Sequence, residues 1–206
     1  MTIHLHKGDL PDGIDFGGSV AVDTETQGLS LVRDKLCLVQ LSAGDGDAHI
    51  VQLNRKTYEC PNLKALLTNP EILKIYHFAR FDLAVLKRDL DVEAGPVFCT
   101  KVASGLVRTY TDAHGLKNLC KELLGIDLSK QQQSSDWAEE GLSKAQLEYA
   151  ASDVLYLHRL QRILTARLIR ENRMELAQAC FDFLPTRAQL DLEGWQDVDI
   201  FAHSFR

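Results

Sequence analysis

Asp23 and Glu25 stand two residues apart at the end of the apolar run GGSVAV, residues 17 to 22. Residues two apart on a strand share a face, so this spacing sets two carboxylates side by side next to a hydrophobic core. Such a pair is tolerated where water solvates both groups or where something positive sits between them. Taken alone the Asp-x-Glu triplet means little, since one is expected in roughly 300 residues of average composition. The chain holds two more, Asp91-Val-Glu93 and Asp191-Leu-Glu193, which read as solvated loop and tail charges. The first differs from them in following an apolar strand and in preceding Gly28.

Two further elements carry candidates. In His77-Phe-Ala-Arg-Phe-Asp82 the acid falls in the first turns of a helix, where the helix dipole alone would favour it, and His77 and Arg80 are equally ambiguous. Tyr149-Ala-Ala-Ser-Asp153 spaces a phenol and a carboxylate by one helical turn on one face; packing of Tyr149, with Asp153 at the rim, is the bland alternative. Four acids on three elements, with one tyrosine, are what a two-metal phosphodiester hydrolase requires. Two divalent ions about 4 Å apart clamp the attacking and leaving oxygens, and Mg2+ or Mn2+ prefers oxygen ligands. A tyrosine with an ordinary pKa near 10 is a poor base, so Tyr149 would orient an ion-activated water.

The elements that must position these groups are legible in outline. After the first strand, Lys35 to Ser42 and Ala48 to Leu53 alternate as an antiparallel meander around the turn Gly44-Asp-Gly-Asp47. Pro61 opens a short helix over Asn62 to Leu67, Glu71 to Tyr76 reads as a strand, and Ala79 to Leu90 has helical spacing. Gly95-Pro96 breaks the chain, Val97-Phe98 begins a short strand, and helices are predicted over Lys101 to Thr109 and Leu116 to Leu124. From Ser143 a helical pattern runs to Phe183, with a break near Asn172 and an end at Pro185. Strands followed by alternating strands and helices imply a mixed sheet covered by helices, an α/β or α+β layered domain.

Composition bounds the function. A net charge of −6 over 206 residues argues against a broad basic face for long nucleic acid, while a short polyanion bound through metal ions stays open. Five scattered cysteines form no CxxC pair, and the N-terminus MTIHLHKGDLPDG has no signal-peptide pattern, which reads as cytoplasmic with reduced thiols and no membrane span.

Asp23-Thr-Glu25, Asp82 within HFARFDLAVL, and Tyr149-x-x-x-Asp153 together resemble the DEDDy 3′-5′ exonucleases, and residues 115 to 160 resemble the matching part of ribonuclease D. The likeness covers roughly residues 15 to 170. It implies an RNase H-like exonuclease fold with a mixed five- to six-stranded sheet flanked by helices. Residues 1–170 would form the exonuclease domain, and 171–206 a C-terminal helix and tail packed on it or on a neighbouring subunit. That remainder is too short for a separate helical (HRDC) nucleic-acid-binding domain, which is similar to the compact nanoRNase C type. The resemblance then implies a homo-oligomer, an octameric ring, that cleaves dinucleotides and very short RNA to nucleoside 5′-monophosphates with two Mg2+ or Mn2+ ions.

By the same resemblance, Asp23 bridges both ions, Glu25 and Asp153 complete the site that holds the nucleophilic water, and Asp82 supports the second ion. Leu29 either wedges between the last two bases or is ordinary core. Thr24, His77, Arg80 and the polar run Lys130, Gln132 and Gln133 would contact substrate, and Trp137 reads as an anchor. Cys99 stands where ribonuclease D has an acid. The alternatives are the same chemistry on longer RNA, tRNA ends or single-stranded DNA, and a non-catalytic RNase H-like module that only binds nucleic acid. A nucleotide-binding α/β protein is disfavoured because no Gly-rich phosphate loop follows the first strand.

Overall fold

A computed structural model describes residues 1–129, 131–132 and 135–204. Six strands form one mixed sheet: β1 (Ile3–Lys7), β2 (Ser19–Thr26), β3 (Leu36–Ser42), β4 (Ala48–Gln52), β5 (Leu73–Tyr76) and β6 (Val97–Cys99). Their spatial order is β1-β4-β3-β2-β5-β6. The antiparallel meander β2-β3-β4 matches the alternation in the sequence, and β5 and β6 extend it in parallel beyond β2. Every residue of β3 is buried, as a strand covered on both faces must be. Sequence reading missed β1, which runs parallel to β4 at the sheet edge. Its sequence IHLHK carries two histidines and has no fully buried position, so no apolar periodicity marks it.

Around the sheet lie α1 (Pro61–Thr68), α2 (Ala79–Leu90), α3 (Thr100–Val107) and α4 (Leu116–Leu119), which continues as a π-helical turn to Leu124. They are followed by α5 (Lys144–Leu155), α6 (Leu157–Arg170) and α7 (Met174–Leu190), the last continuing as a second π turn to Trp195. The helical stretch after Ser143 breaks twice. Asn172 turns the chain with a left-handed φ of 54°, near the expected place. The other break, at Tyr156, carries no Gly or Pro signal because packing sets it: α5 lays Ala150, Ala151 and Val154 on the sheet, whereas α6 buries Leu157, Leu160, Leu164 and Leu168 chiefly against α3. The turn between β3 and β4 meets α6 so closely that a Cβ at Gly44, whose φ is +79°, would lie 2.7 Å from the His158 ring.

Pro185 does not end the last helix as expected but lies inside it. An interior proline costs about 3 kcal/mol. Ala177, Phe181, Leu184 and Ala188 form a buried stripe that continues across it, and burying each large apolar side chain returns about 1.5–3 kcal/mol. The Phe181 ring lies 4.7 Å from Phe98 of β6. No helix among the described residues is long and apolar enough to cross a membrane.

The expectation that Asp191 is a solvated tail charge is also corrected. Asp191 is only 6% exposed, and its carboxylate accepts from Arg80 Nε at 2.5 Å, Arg80 Nη2 at 2.7 Å and Arg187 Nη2 at 2.7 Å. The pair joins α2 to the end of α7. Removing the acid leaves two partly buried guanidinium groups uncompensated, a loss of about 3 kcal/mol. Asp191→Ala should therefore lower Tm by about 6–12 °C. A melt within a degree of wild type would show that the ion pair does not hold the tail.

Candidate active site

Three elements converge on one cleft. At the end of β2 the pairing with β3 slips between Glu25 and Thr26, a bulge of the kind that re-aims side chains at sheet rims. The loop that follows is closed by Gln27 N donating to Lys35 O at 3.0 Å and by Ser30 N donating to Asp34 Oδ2 at 3.0 Å. The Asp34 carboxylate occupies the space a Cβ would need at residue 28, so a larger residue there would have to displace it from Ser30 N. Between β5 and α2 the chain turns through Phe78 at φ 69°, an unfavourable conformation for a bulky residue and one that clusters at functional sites. That turn delivers Asp82 in the first turn of α2, where it is 4% exposed and accepts from Thr24 Oγ1 at 2.7 Å. On the third element, α5 opens with a capping box between Ser143 and Gln146 and carries Tyr149 and Asp153 one turn apart. Trp137 is buried with its ring 6.0 Å from that of Tyr149.

Carboxylate oxygens of Asp23, Glu25 and Asp153 all lie within 4.8 Å of one another. They share a cleft of about 340 Å³ with Asp82, Tyr149, Thr24, Leu29 and His77. Burial and mutual repulsion weigh on all of these acids. Burial pushes Asp23 up to about 7 against the pull of the Thr24 backbone N–H. Burial, then the charges of Asp23, Asp153 and Asp82, push Glu25 up to about 10. Asp82 and Asp153 are raised well above the carboxylate range by burial and then by Asp23. Burial and the neighbouring acids likewise keep the Tyr149 phenol protonated. No ion pair among the described residues joins these carboxylates to a basic side chain. An all-oxygen, strongly acidic donor set of this kind fits hard divalent cations.

The remaining expected contacts divide. Leu29 lines the cleft and is 80% exposed, so core packing does not explain it. Thr24 faces Asp82 and spends its hydroxyl there. His77 lines the cleft, and burial, then Lys101, push it down to about 3, which leaves it neutral near pH 7. Its Nδ1 lies 2.9 Å from Thr100 Oγ1, which itself donates to Tyr76 O at 3.0 Å. Nδ1 therefore carries the proton, and Nε2 is left as an acceptor. Arg80 is the correction: it does not line this cleft, because its guanidinium is committed to Asp191 and the Gln196 carbonyl. Lys130 and Gln133 lie outside the described residues. Cys99 is buried, and burial raises its thiol pKa. Lys101 and Lys117 line the cleft and were missed, since neither belongs to a pattern that singles it out in the sequence.

A sequence model of the family described as 3′-5′ exonuclease matches residues 12–169. The chain belongs to the 3′-5′ exonuclease family. Within that family it is of the ribonuclease D-like, DEDDy kind, and DEDD-type exonucleases use divalent metals. Its similarity to NrnC extends over the whole exonuclease chain. A structure of Brucella melitensis NrnC with bound Mg2+ is 56% identical at a TM-score of 0.95 and covers 99% of this chain and 100% of its own. NrnC of the same organism bound to pGG is 57% identical, with a TM-score of 0.96 and the same coverage. Ribonuclease D of Xanthomonas oryzae pv. oryzae is 32% identical over 97% of this exonuclease, which spans 55% of that relative; for Acidiphilium cryptum ribonuclease D the values are 34%, 76% and 39%. The chain thus spans about half or less of the length of these curated ribonuclease D relatives. The fold is the RNase H-like exonuclease fold of these proteins.

The crowded carboxylates make a pH signature. Asp23 and Glu25 hold protons in the folded state up to about pH 7 and about pH 10, but release them near pH 4 when unfolded. Folding then takes up protons throughout that window, so the cation-free exonuclease loses stability as pH rises from about 4. Divalent cations held by these acids would replace those protons as countercharge. The rise in Tm on adding Mg2+ in place of EDTA should therefore widen between about pH 5 and about pH 9. A difference independent of pH would refute this account of the site.

Proposed function

We propose that this chain is a metal-dependent 3′-5′ exoribonuclease that hydrolyses dinucleotides and very short RNA to nucleoside 5′-monophosphates. The observation that supports this reading most is the carboxylate cluster of Asp23, Glu25 and Asp153, with Asp82 tied to it through Thr24. Two divalent cations, Mg2+ or Mn2+, held by Asp23, Glu25, Asp82 and Asp153 would supply Lewis acidity toward the phosphodiester. Asp23 stands between the other acids and would serve both ions, Glu25 and Asp153 would complete one site, and Asp82 the other. The Tyr149 hydroxyl, kept protonated among the acids, orients the attacking water rather than removing its proton. Leu29 projects into the cleft and separates the last two bases. The Nε2 of neutral His77 accepts a hydrogen bond from a sugar hydroxyl.

The pGG bound to the 57% identical NrnC of Brucella melitensis supports the short-substrate form. Its alternative, the same chemistry on longer RNA or tRNA ends, is supported by the ribonuclease D relatives. Assembly into a closed ring is part of the proposal, supported by the partly to largely exposed Phe183, Trp195 and Phe201 near the end of the chain.

A series of 5′-labelled RNAs of about two, five and twenty nucleotides with Mg2+ or Mn2+ separates these readings, since the short-substrate form turns over the dinucleotide fastest and the alternative shows no such bias. Asp23→Ala should cut kcat by about 10³-fold or more, because the lost stabilisation amounts to several kcal/mol. A variant that turns over normally removes Asp23 from the catalytic machinery, whereas a wild type without turnover whose Asp23→Ala variant binds RNA as well or better leaves a binding module. Leu29→Ala should raise KM for the dinucleotide with a smaller effect on kcat. An unchanged KM refutes the wedge. Light scattering should read a mass several times 23.1 kDa, and a monomer removes the ring.

A further inference from the structure

Gln40, near the middle of β3, is fully buried, and neither Oε1 nor Nε2 of its side chain has a hydrogen-bond partner among the described residues. A buried polar group left unpaired costs about 1–3 kcal/mol. A position that needed only packing would carry leucine or methionine. Orphaned buried groups of this kind are rare enough in native folds that each one calls for a role.

The sheet register indicates that role. Gln40 pairs directly with Asp23 of β2 on one side and with Ile50 of β4 on the other. Residues opposite one another in an antiparallel pair share a face, with Cβ atoms about 4.5–5.5 Å apart. Gln40 therefore projects from the face that carries Asp23 and Glu25, beneath α5 with its Tyr149 and Asp153. Leu38 and Ile50 on that face pack with Ala150 and Trp137, so the amide is walled off from solvent on that side. The only acceptor-rich group beside it in the register is the Asp23 carboxylate. An ionised carboxylate takes up several donors, and a glutamine amide offers two N–H.

We propose that Gln40 is a positioning residue for Asp23: its Nε2–H, which has no protein partner among the described residues, reaches the Asp23 carboxylate through one bridging water and fixes the rotamer that faces Glu25 and Asp153. The inference rests on the metal-dependent reading of the site. The group that orients a ligating carboxylate contributes typically about 10–100-fold in metal affinity or activity. Gln40 acts only through Asp23 and touches no reacting atom.

Gln40→Met keeps the length of the side chain and removes both orphaned atoms. In cation-free protein its Tm should stay close to that of wild type, because the lost contact to Asp23 is offset by removal of the unpaired Oε1. Its Mn2+ dissociation constant, read by calorimetry, should rise about 10-fold or more, and kcat should fall with KM for RNA nearly unchanged. A purely structural glutamine predicts the opposite pattern, a lower Tm with unaltered Mn2+ affinity, and that result overturns the inference. Gln40→Leu gives the same comparison if the methionine variant fails to fold. Asp23→Ala, measured alongside, separates the two levels: Mn2+ binding lost in Asp23→Ala and intact in Gln40→Met overturns the role of Gln40 alone, whereas binding intact in Asp23→Ala overturns the metal reading and this inference with it.

Discussion

Repulsion among buried carboxylates is the constraint to which the rest of the molecule answers. Two like charges about 4 Å apart interact by about 4 kcal/mol at an effective dielectric of 20. Asp23, Glu25 and Asp153 lie within that range, with Asp82 close behind Thr24. Left alone, such a group would splay apart or take up protons. Preserving its geometry for a cation requires that each acid be held by covalent and packing restraints rather than by its neighbours. The bulge after Glu25, the left-handed Phe78 and the capping box at Ser143 are those restraints, one for each contributing element.

The same demand explains features far from the acids. Tyr149 leans on Trp137, and the segment that follows Trp137 is fastened to the edge of the sheet. Lys7 of β1 donates to Glu140 O at 2.9 Å, Gln52 of β4 to Glu139 O at 2.7 Å, and Arg55 to Ala138 O at 2.8 Å. Three side chains from one rim thus hold three successive carbonyls just before α5 begins. The edge strand β1 stiffens the approach to the helix that carries a catalytic candidate, although it contributes no residue to the cleft.

Where the sequence was legible follows from which interactions leave a periodic trace. The meander and α2 are written in alternation and helical spacing, whereas the acids of β2, α2 and α5 are ambiguous one by one and are selected only as a set, by their resemblance to the DEDDy motifs. β1 leaves no trace, since its worth lies in pairing with β4 and in one lysine that reaches across 133 residues. Arg80 illustrates the converse. Its place beside His77 and Asp82 suggested a substrate contact, but helical geometry turns it toward Asp191, 111 residues away. Pro185 misled for a third reason: a local rule for helix ends was overridden by a buried stripe that a one-dimensional reading weighs too lightly.

The charge of the whole molecule bears on how such a site can handle an anionic ligand. At a net −6, the long-range field disfavours a polyanion, and four of the acids behind that charge line the cleft itself. In the proposed function attraction must then be local, from the cations that those acids would hold and from Lys101 and Lys117 on the cleft wall. A local source of attraction cannot grow with the length of the ligand, because affinity gained by neutralising successive phosphates needs a basic track along which to lay them. Fields confined to one cleft of about 340 Å³ favour a ligand whose charge also fits there. Acidity and short substrates are therefore linked by electrostatics in the proposed function: the buried acids that create the demand for cations also restrict productive binding to the place where those cations sit.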